Sequence, residues 1–288
     1  MNDGMISRFG SMSRKLKRIP GAVLLLEGIR KRFARTGRIL SIDDFDGSLT
    51  IDLNLGEHMQ SQIFWYGYYS RDIIMTLDRL LSPGMVMFDV GANIGEISLC
   101  AARRVGKEGK VYSFEPMPVL HETLKRNLSR NGMTHVQSVC MGLADKQGSV
   151  PIYRADTRFS DGTVHEGLGT LYPMNNRTTP VGEIKINTLD AFFEEMGVDR
   201  LDCVKIDVEG AEFGGLKGGE KALIKYKPHP IVELQEQTTG ASGGSPADIL
   251  GYPEVLGCSF FSTVTMARLN PLHERNIKRF QNILCVPK

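Results

Sequence analysis

The sequence predicts a doubly wound α/β fold. Its sheet should be mostly parallel and end in an antiparallel strand pair, after a helical and hairpin extension at the N-terminal side. Three observations predict it. Short, nearly continuous apolar runs, "MVMFDV" from residue 85 and "LDCVKIDV" from residue 201, have the character of strands buried on both faces. Helical segments alternate with strands over residues 85–143, at lengths suited to right-handed crossovers. The glycine turn "DVGANIG", residues 89–95, joins the first buried strand to a helix.

The 288 residues suit one large or two modest domains, and 41% hydrophobic with 24% charged residues is ordinary for a globular chain with a real core. We expect an extension over residues 1–60 and a main domain over 61–288. Residues 1–36 read as basic and helical. In "RILSIDDFDGSLTIDL" two alternating runs flank Asp46-Gly47, a dipeptide suited to a tight hairpin. "QSQIFWYGYYSRDIIMTLDRLL" runs from an aromatic cluster into an amphipathic helix, which Leu81-Ser82-Pro83-Gly84 ends. Then come the strand "MVMFDV", a helix over 96–105, the strand "KVYSFE", a helix over 119–130 and the strand "HVQSVCMGL". Residues 154–182 are polar and rich in turn formers, and a loop of that length in a compact domain is usually functional or disordered. "KINTLDAFFEEMG" restores strand and helix. "LDCVKIDVEG", "GGEKALIKY" and "HPIVELQ" follow as strand, helix and strand, and "CSFFSTVTMARL" with "NILCVPK" reads as the antiparallel pair.

Net charge is only +2, so no overall field points to nucleic acid. Residues 1–38 hold +8 and the remainder −6, so the basic N-terminal segment has the means for weak contact with an acidic membrane surface or partner. The apolar run 22–26 is too short to span a bilayer and lies too deep for a signal peptide, and the cytoplasm is the expected location. The five cysteines are scattered without CxxC spacing, which predicts reduced core cysteines in a reducing compartment.

The chemistry concentrates at strand ends. Asp89, Gly91, Asn93 and Gly95 form the strand-to-helix turn, where a small residue lets a ligand approach and a helix N-terminus offers N–H donors. Glu115 ends the next strand, placed to accept both hydroxyls of a ribose. An adenosine ligand follows from that pair, and both NAD and S-adenosylmethionine contain one. The latter is favoured. The turn is G-x-N-x-G rather than G-x-G-x-x-G, Glu96 stands where the third glycine belongs, and Asp89 suits an ammonium better than a phosphate. Met117 and Leu143 are further candidates for cofactor contact. In "VKIDVEGAE", residues 204–212, alternation puts Lys205 and Asp207 on the face opposite Val204 and Ile206, at a strand end where ligands bind in open α/β sheets. Asp207 suits the proton of a substrate hydroxyl or holds the ligand. Lys205 pairs with it or, with a lowered pKa, serves as base. Glu209 is a third catalytic candidate, and Glu209 with Glu212 permits a divalent metal. No His or Cys set demands a metal, and none is predicted. His58, His121, His229 and His273 read as surface or loop residues, and His165 in the polar loop stays a minor candidate.

"FDVGANIGEISL", "YSFEPMP", "INTLDAFF", "VKIDVEGAE", "LKGGEKAL" and "PIVELQ" together resemble the FkbM family of S-adenosylmethionine-dependent methyltransferases, over roughly residues 60–235. The resemblance implies a class I methyltransferase (Rossmann-like) fold with a seven-stranded sheet, and methyl transfer to a hydroxyl of a sugar or natural-product small molecule. Asp89, Gly91, Asn93 and Gly95 match the family's ligand turn and Glu115 its ribose acid. Asp207, Glu209 and Glu212 match its acidic cluster. Two departures fall on the substrate side: Ser70 or Arg71 stands where an acid is expected, and Gln235 where a His is common. The competing readings are an NAD-dependent oxidoreductase and a non-catalytic binding protein on the same fold.

Overall fold

The computed structural model describes residues 3–16, 28, 30–34, 36–154, 159, 161–164, 169–170, 180–208, 210–235, 248–252, 257–269 and 280–288. Helix α1 (Asp3–Leu16) precedes the hairpin of β1 (Ile39–Phe45) and β2 (Leu49–Asn54), which pair antiparallel with Ile42 opposite Ile51. Asp46 and Gly47 turn the hairpin at φ 43° and 96°, which is why that dipeptide stands there. The aromatic segment forms two helices, α2 (His58–Tyr66) and α3 (Arg71–Leu80), because Gly67 at φ 95° ends the first.

The central sheet follows. β3 (Val86–Val90), α4 (Glu96–Val105), β4 (Lys110–Phe114), α5 (Pro118–Arg130) and β5 (Val136–Val139) build one half. α6 (Leu189–Met196), β10 (Cys203–Ile206), α7 (Glu212–Gly218), α8 (Glu220–Tyr226) and β11 (His229–Gln235) build the other. β12 (Cys258–Ser262) and β13 (Phe280–Pro287) close it. The order is β12-β13-β11-β10-β3-β4-β5, parallel from β11 to β5 and antiparallel at β13 and β12. This is the expected seven-stranded doubly wound sheet. The chain moves outward from β3 on one side and from β10 on the other, so the order reverses between those two strands. Ligands of open α/β sheets bind above such a switch point, beyond the carboxyl ends of the strands.

Two stretches depart from expectation. The run read as one strand, 135–143, splits. β5 stays in the central sheet while β6 (Gly142–Leu143) leaves it for a small second sheet, of order β6-β9-β7-β8, with β7 (Gly148–Arg154), β8 (Gly169–Thr170) and β9 (Pro180–Asn187). The paired cysteines are the second departure. Antiparallel pairing of β12 and β13 brings Cys258 and Cys285 to a Cα separation of 5.8 Å, and they are joined by a disulfide. Cys100 and Cys203 are free and buried, and Cys140 is free and exposed. The expectation of five reduced cysteines is therefore corrected, and the cysteine count stops arguing for a reducing compartment.

The two faces of the sheet carry different cores. Phe88, Val90, Tyr112, Phe114, Val204, Ile206 and Val232 face α6, α7 and α8. Met87, Val111, Cys203, Ile231 and Leu284 face the side covered by α4 and α5. That second core is continuous with Ile6 of α1, Ile42 and Ile51 of the hairpin, and Trp65 and Leu77 of α2 and α3. Polar contacts fasten the same elements. Ser13 donates to the Trp65 carbonyl at 2.7 Å, and Arg14 pairs with Asp44 at 2.5 Å. Among the described residues no helix is long and apolar enough to cross a membrane.

Asn127 of α5, fully buried, joins the hairpin to the glycine turn. Its Oδ1 accepts the Asp52 N–H at 3.0 Å, and its Nδ2 donates to the Ile94 carbonyl at 2.8 Å. Asn127→Ala leaves both backbone groups buried without partners. At about 1–3 kcal/mol per orphaned group, urea denaturation should show a stability loss of about 2–5 kcal/mol.

Candidate active site

Alternation along the four inner strands puts a polar row on the α4 side, at their carboxyl ends. Met87 is followed by Asp89, Val111 by Ser113 and Glu115, Cys203 by Lys205 and Asp207, and Ile231 by Glu233. The ladders align Ser113 with Asp89 and Asp89 with Lys205. Strand pairing thus brings together residues far apart in sequence.

Lys205 sits at the centre, 3% exposed. Its Nζ donates to the carbonyls of Gly91 at 2.8 Å and Val90 at 3.3 Å, and lies 3.5 Å from both Asp89 Oδ1 and Asp207 Oδ2. Burial alone would lower its pKa. The fields of Asp207, Asp89 and Glu233 outweigh burial and hold it above the ordinary lysine value. Of the two roles expected for Lys205, pairing with Asp207 fits this geometry. The base with a lowered pKa does not, because the ammonium keeps its proton and its donors are engaged.

Asp89 is fully buried. Its Oδ2 accepts from Ser98 Oγ at 2.6 Å, and Ser98 Oγ is 2.7 Å from Ser113 Oγ. Asp89 therefore anchors Lys205 and α4 and is not open to a ligand's ammonium, as its place before the turn had implied. Ser98 and Ser113 escaped the sequence reading. The detectable signal was weak: a serine on an apolar helix face, and one in register with Asp89 in the middle of a buried strand.

The turn also differs from expectation. Gly91 and Ala92 donate their N–H groups to the Phe114 carbonyl at 3.0 and 2.9 Å. Asn93 N–H goes to Glu115 Oε2 at 2.9 Å, Ile94 N–H to Asn93 Oδ1 at 2.8 Å, and Gly95 N–H to the Ala92 carbonyl at 2.9 Å. All five turn amides, of residues 91–95, have protein partners. Gly91, at φ 82°, is required by the protein itself. A Cβ there would lie 1.9 Å from the Asp207 carbonyl oxygen. Asn93 tolerates φ 51°, as asparagine does, and Gly95 leads into α4 at φ 99°.

Glu115 is 5% exposed and accepts two backbone N–H groups, from Asn93 and, at 2.8 Å, from Met117. Burial pushes its pKa up to about 7 against the lowering effect of those bonds. Glu96 is likewise buried and raised to about 7. It accepts the N–H of Tyr69 at 2.7 Å and of Ser70 at 3.2 Å, locking the α2–α3 turn to α4. Met117 is half-buried between two cores. Leu143, expected at the cofactor, is 3% exposed and packs in the core of the α6–α8 face.

Glu212 heads α7 at 1% exposure, its Oε1 accepting from Val208 N–H at 3.1 Å and Gly210 N–H at 3.0 Å. Asp207 is the partly exposed member, with 27% of its side chain open. Glu233, in "PIVELQ" and not singled out from sequence, joins them. One carboxylate oxygen from each of Asp207, Glu212 and Glu233 lies within 4.8 Å of the others. Glu209 and His165 lie outside the described residues, as does His273. His58 belongs to a separate cluster with Asp161, Thr163 and a stacked Phe159. His121 lies on α5, and His229 begins β11 at the end away from the polar row.

Two outcomes follow. Gly91→Ala combines backbone strain with a clash against unyielding main chain. It should cost on the order of 2–5 kcal/mol in urea unfolding, even without ligand. Glu96 and Glu115 bind protons more tightly folded, near pH 7, than unfolded, near 4.5. Between those values the native state holds more protons, so the stability they contribute at low pH is lost as pH rises. Thermal melts of the ligand-free chain should show Tm falling from pH 5 to 7.5, and Glu96→Gln should flatten that slope.

The model of the methyltransferase FkbM domain matches residues 89–258. Among curated proteins, the antimetabolite synthetase AmbE of Pseudomonas aeruginosa is 26% identical over 221 residues, 67% of this chain and 10% of its own length. Methyltransferase sdnD of Sordaria araneosa is 29% identical over 170 residues, 51% of this chain and 65% of its own. The hexuronic acid methyltransferase AglP of Haloferax volcanii is 28% identical over 182 residues, 62% of this chain and 65% of its own. The chain thus spans less than two thirds of each of these relatives. The family match covers the glycine turn and the polar row from Asp89 to Glu233, and the chain belongs to the FkbM methyltransferase family.

Proposed function

We propose that the chain is an S-adenosylmethionine-dependent O-methyltransferase acting on a hydroxyl of a sugar or natural-product small molecule. The observation that carries this reading is that the site is built of acceptors. The amides of residues 91–95 are all consumed within the protein, which leaves a pyrophosphate no turn donors. Carboxylates remain instead: Glu115 beside the turn, and Asp207, Glu212 and Glu233 beside the switch point. The ribose hydroxyls of an adenosine ligand fit Glu115, and a ligand without a pyrophosphate fits a turn whose own amides are taken. The names of the relatives sdnD and AglP support methyl transfer, and that of AglP a sugar acid as acceptor class.

When bound, the cofactor would supply an activated methyl on sulfur. The chain's residues do the rest. Glu115 retains lone pairs beyond its two backbone bonds and accepts the ribose hydroxyls. Met117, whose N–H is held by Glu115, flanks the adenine. Asp207, ion-paired to Lys205 yet open to solvent on one side, sits beside the acceptor and takes or shares the hydroxyl proton as the oxygen–methyl bond forms and the sulfur–methyl bond breaks. Lys205 keeps Asp207 aimed, and Asp89 with Ser98 keeps Lys205 in place. Much of the rate then comes from alignment, because the methyl group arrives already activated.

Calorimetry should show S-adenosylhomocysteine binding and NAD not binding, and the reverse would end this reading. Glu115→Gln should weaken S-adenosylhomocysteine at least tenfold. With a labelled methyl donor and a panel of sugar and natural-product hydroxyls, Asp207→Asn should lower turnover about 100-fold or more while leaving S-adenosylhomocysteine affinity near that of the parent. Undiminished turnover would remove Asp207 from the proton's path.

A further inference from the structure

The geometry points to a divalent cation site formed by Asp207, Glu212 and Glu233, which takes an oxygen-preferring ion of the magnesium, manganese or calcium class and presents its open side to the acceptor. This deepens the proposed function and rests on it for the acceptor, but the ion's binding stands on the protein alone.

The first observation is spacing. The three carboxylates come from the end of β10, the start of α7 and the interior of β11, and each brings an oxygen within 4.8 Å of the other two. Oxygens on opposite sides of a magnesium ion are separated by about 4.2 Å, and of a calcium ion by about 4.6–5.2 Å, with adjacent ones closer. The three therefore fit around one ion.

The second observation is independent of spacing. Glu212 is 1% exposed, and its two backbone bonds fall on Oε1, from Val208 and Gly210. Oε2 is buried and has no hydrogen-bond partner among the described residues. A carboxylate oxygen withdrawn from water without a partner is costly, and buried charges are normally paired or bound to metal. The two amides also hold Glu212 in a fixed orientation, as hydrogen bonds from the surrounding protein do for metal-bound carboxylates.

Lys205 does not supply the missing charge. Its two hydrogen bonds go to the Val90 and Gly91 carbonyls, and its ammonium stands between Asp89 and Asp207. Glu212 is not among the groups it reaches within 4.0 Å. The exposed edge of Asp207 gives the site its opening to solvent. Three protein oxygens leave coordination positions for water or for a vicinal pair of acceptor oxygens. An acceptor hydroxyl bound there would lose its proton more readily.

The test is a manganese titration of the full chain by electron paramagnetic resonance, without methyl donor or acceptor. The expected result is one Mn2+ per chain, displaced by Mg2+ or Ca2+ and weakened at least tenfold in Glu212→Gln and in Glu233→Gln. Circular dichroism establishes that each variant is folded. Asp207→Asn, at the partly exposed edge, is the substitution to use if a buried one prevents folding. Absence of bound Mn2+ in the parent chain overturns the proposal, as does equal binding in the folded variants. Displacement by methylammonium but not by Mg2+ or Ca2+ also overturns it, and assigns the cluster to an ammonium group instead. None of these outcomes depends on S-adenosylhomocysteine binding, so this site and the methyltransferase reading can fail separately.

Discussion

The buried ammonium of Lys205 is the interaction on which the rest of the site depends. It stands where the sheet changes direction, with Asp89 of β3 on one side and Asp207 beyond β10 on the other. A lysine withdrawn from water survives only if charge and carbonyl dipoles replace the lost hydration. Here the carbonyls of Val90 and Gly91 and two carboxylates do so. The consequence is geometric. The first residue of the glycine turn, the last charged residue of β3 and the acid that follows β10 are held to a single point.

From that point the polar row extends in two directions. Toward α4 it passes through Asp89, Ser98 and Ser113, all fully buried, so the helix following the turn is positioned by hydrogen bonds as well as by packing. Toward β11 it reaches Asp207, Glu212 and Glu233. In the first direction Asp89 Oδ2 and both serine hydroxyls are hydrogen-bonded, and Asp89 Oδ1 faces the Lys205 ammonium at 3.5 Å, so it reads as scaffold. In the second, an oxygen of Glu212 stays unpartnered and Asp207 stays partly open, which are properties of a place that receives something.

The N-terminal elements share in this arrangement. The hairpin reaches the glycine turn through Asn127, and the α2–α3 turn is tied to the start of α4 by Glu96. Glu96 stands where a dinucleotide turn has its third glycine. Its carboxylate is spent on the amides of Tyr69 and Ser70, and the amides of residues 91–95 are all occupied. The hairpin's apolar residues share one core with α4.

The sequence by itself determined most strands and helices of the main sheet, though not the helix over Glu212–Gly218, and also the hairpin at Asp46-Gly47, the family, and the residue types of the acidic strand ends. Those signals are local: apolar period, turn chemistry and the spacing of glycines and acids within one segment. Only the tertiary structure decided which acids meet. Glu233 lies 26 residues beyond Asp207, and nothing near it in sequence marks it as different from an edge carboxylate. Parallel pairing of β10 and β11 brings it there. The same holds for Ser98 and Ser113 around Asp89, for the disulfide between Cys258 and Cys285, and for the second sheet that takes β6 away from β5. It holds also for the assignment of Gly91, whose missing Cβ makes room for the Asp207 carbonyl. Strand register, burial and the competition for each N–H are set by the whole chain's packing, and no single stretch contains them.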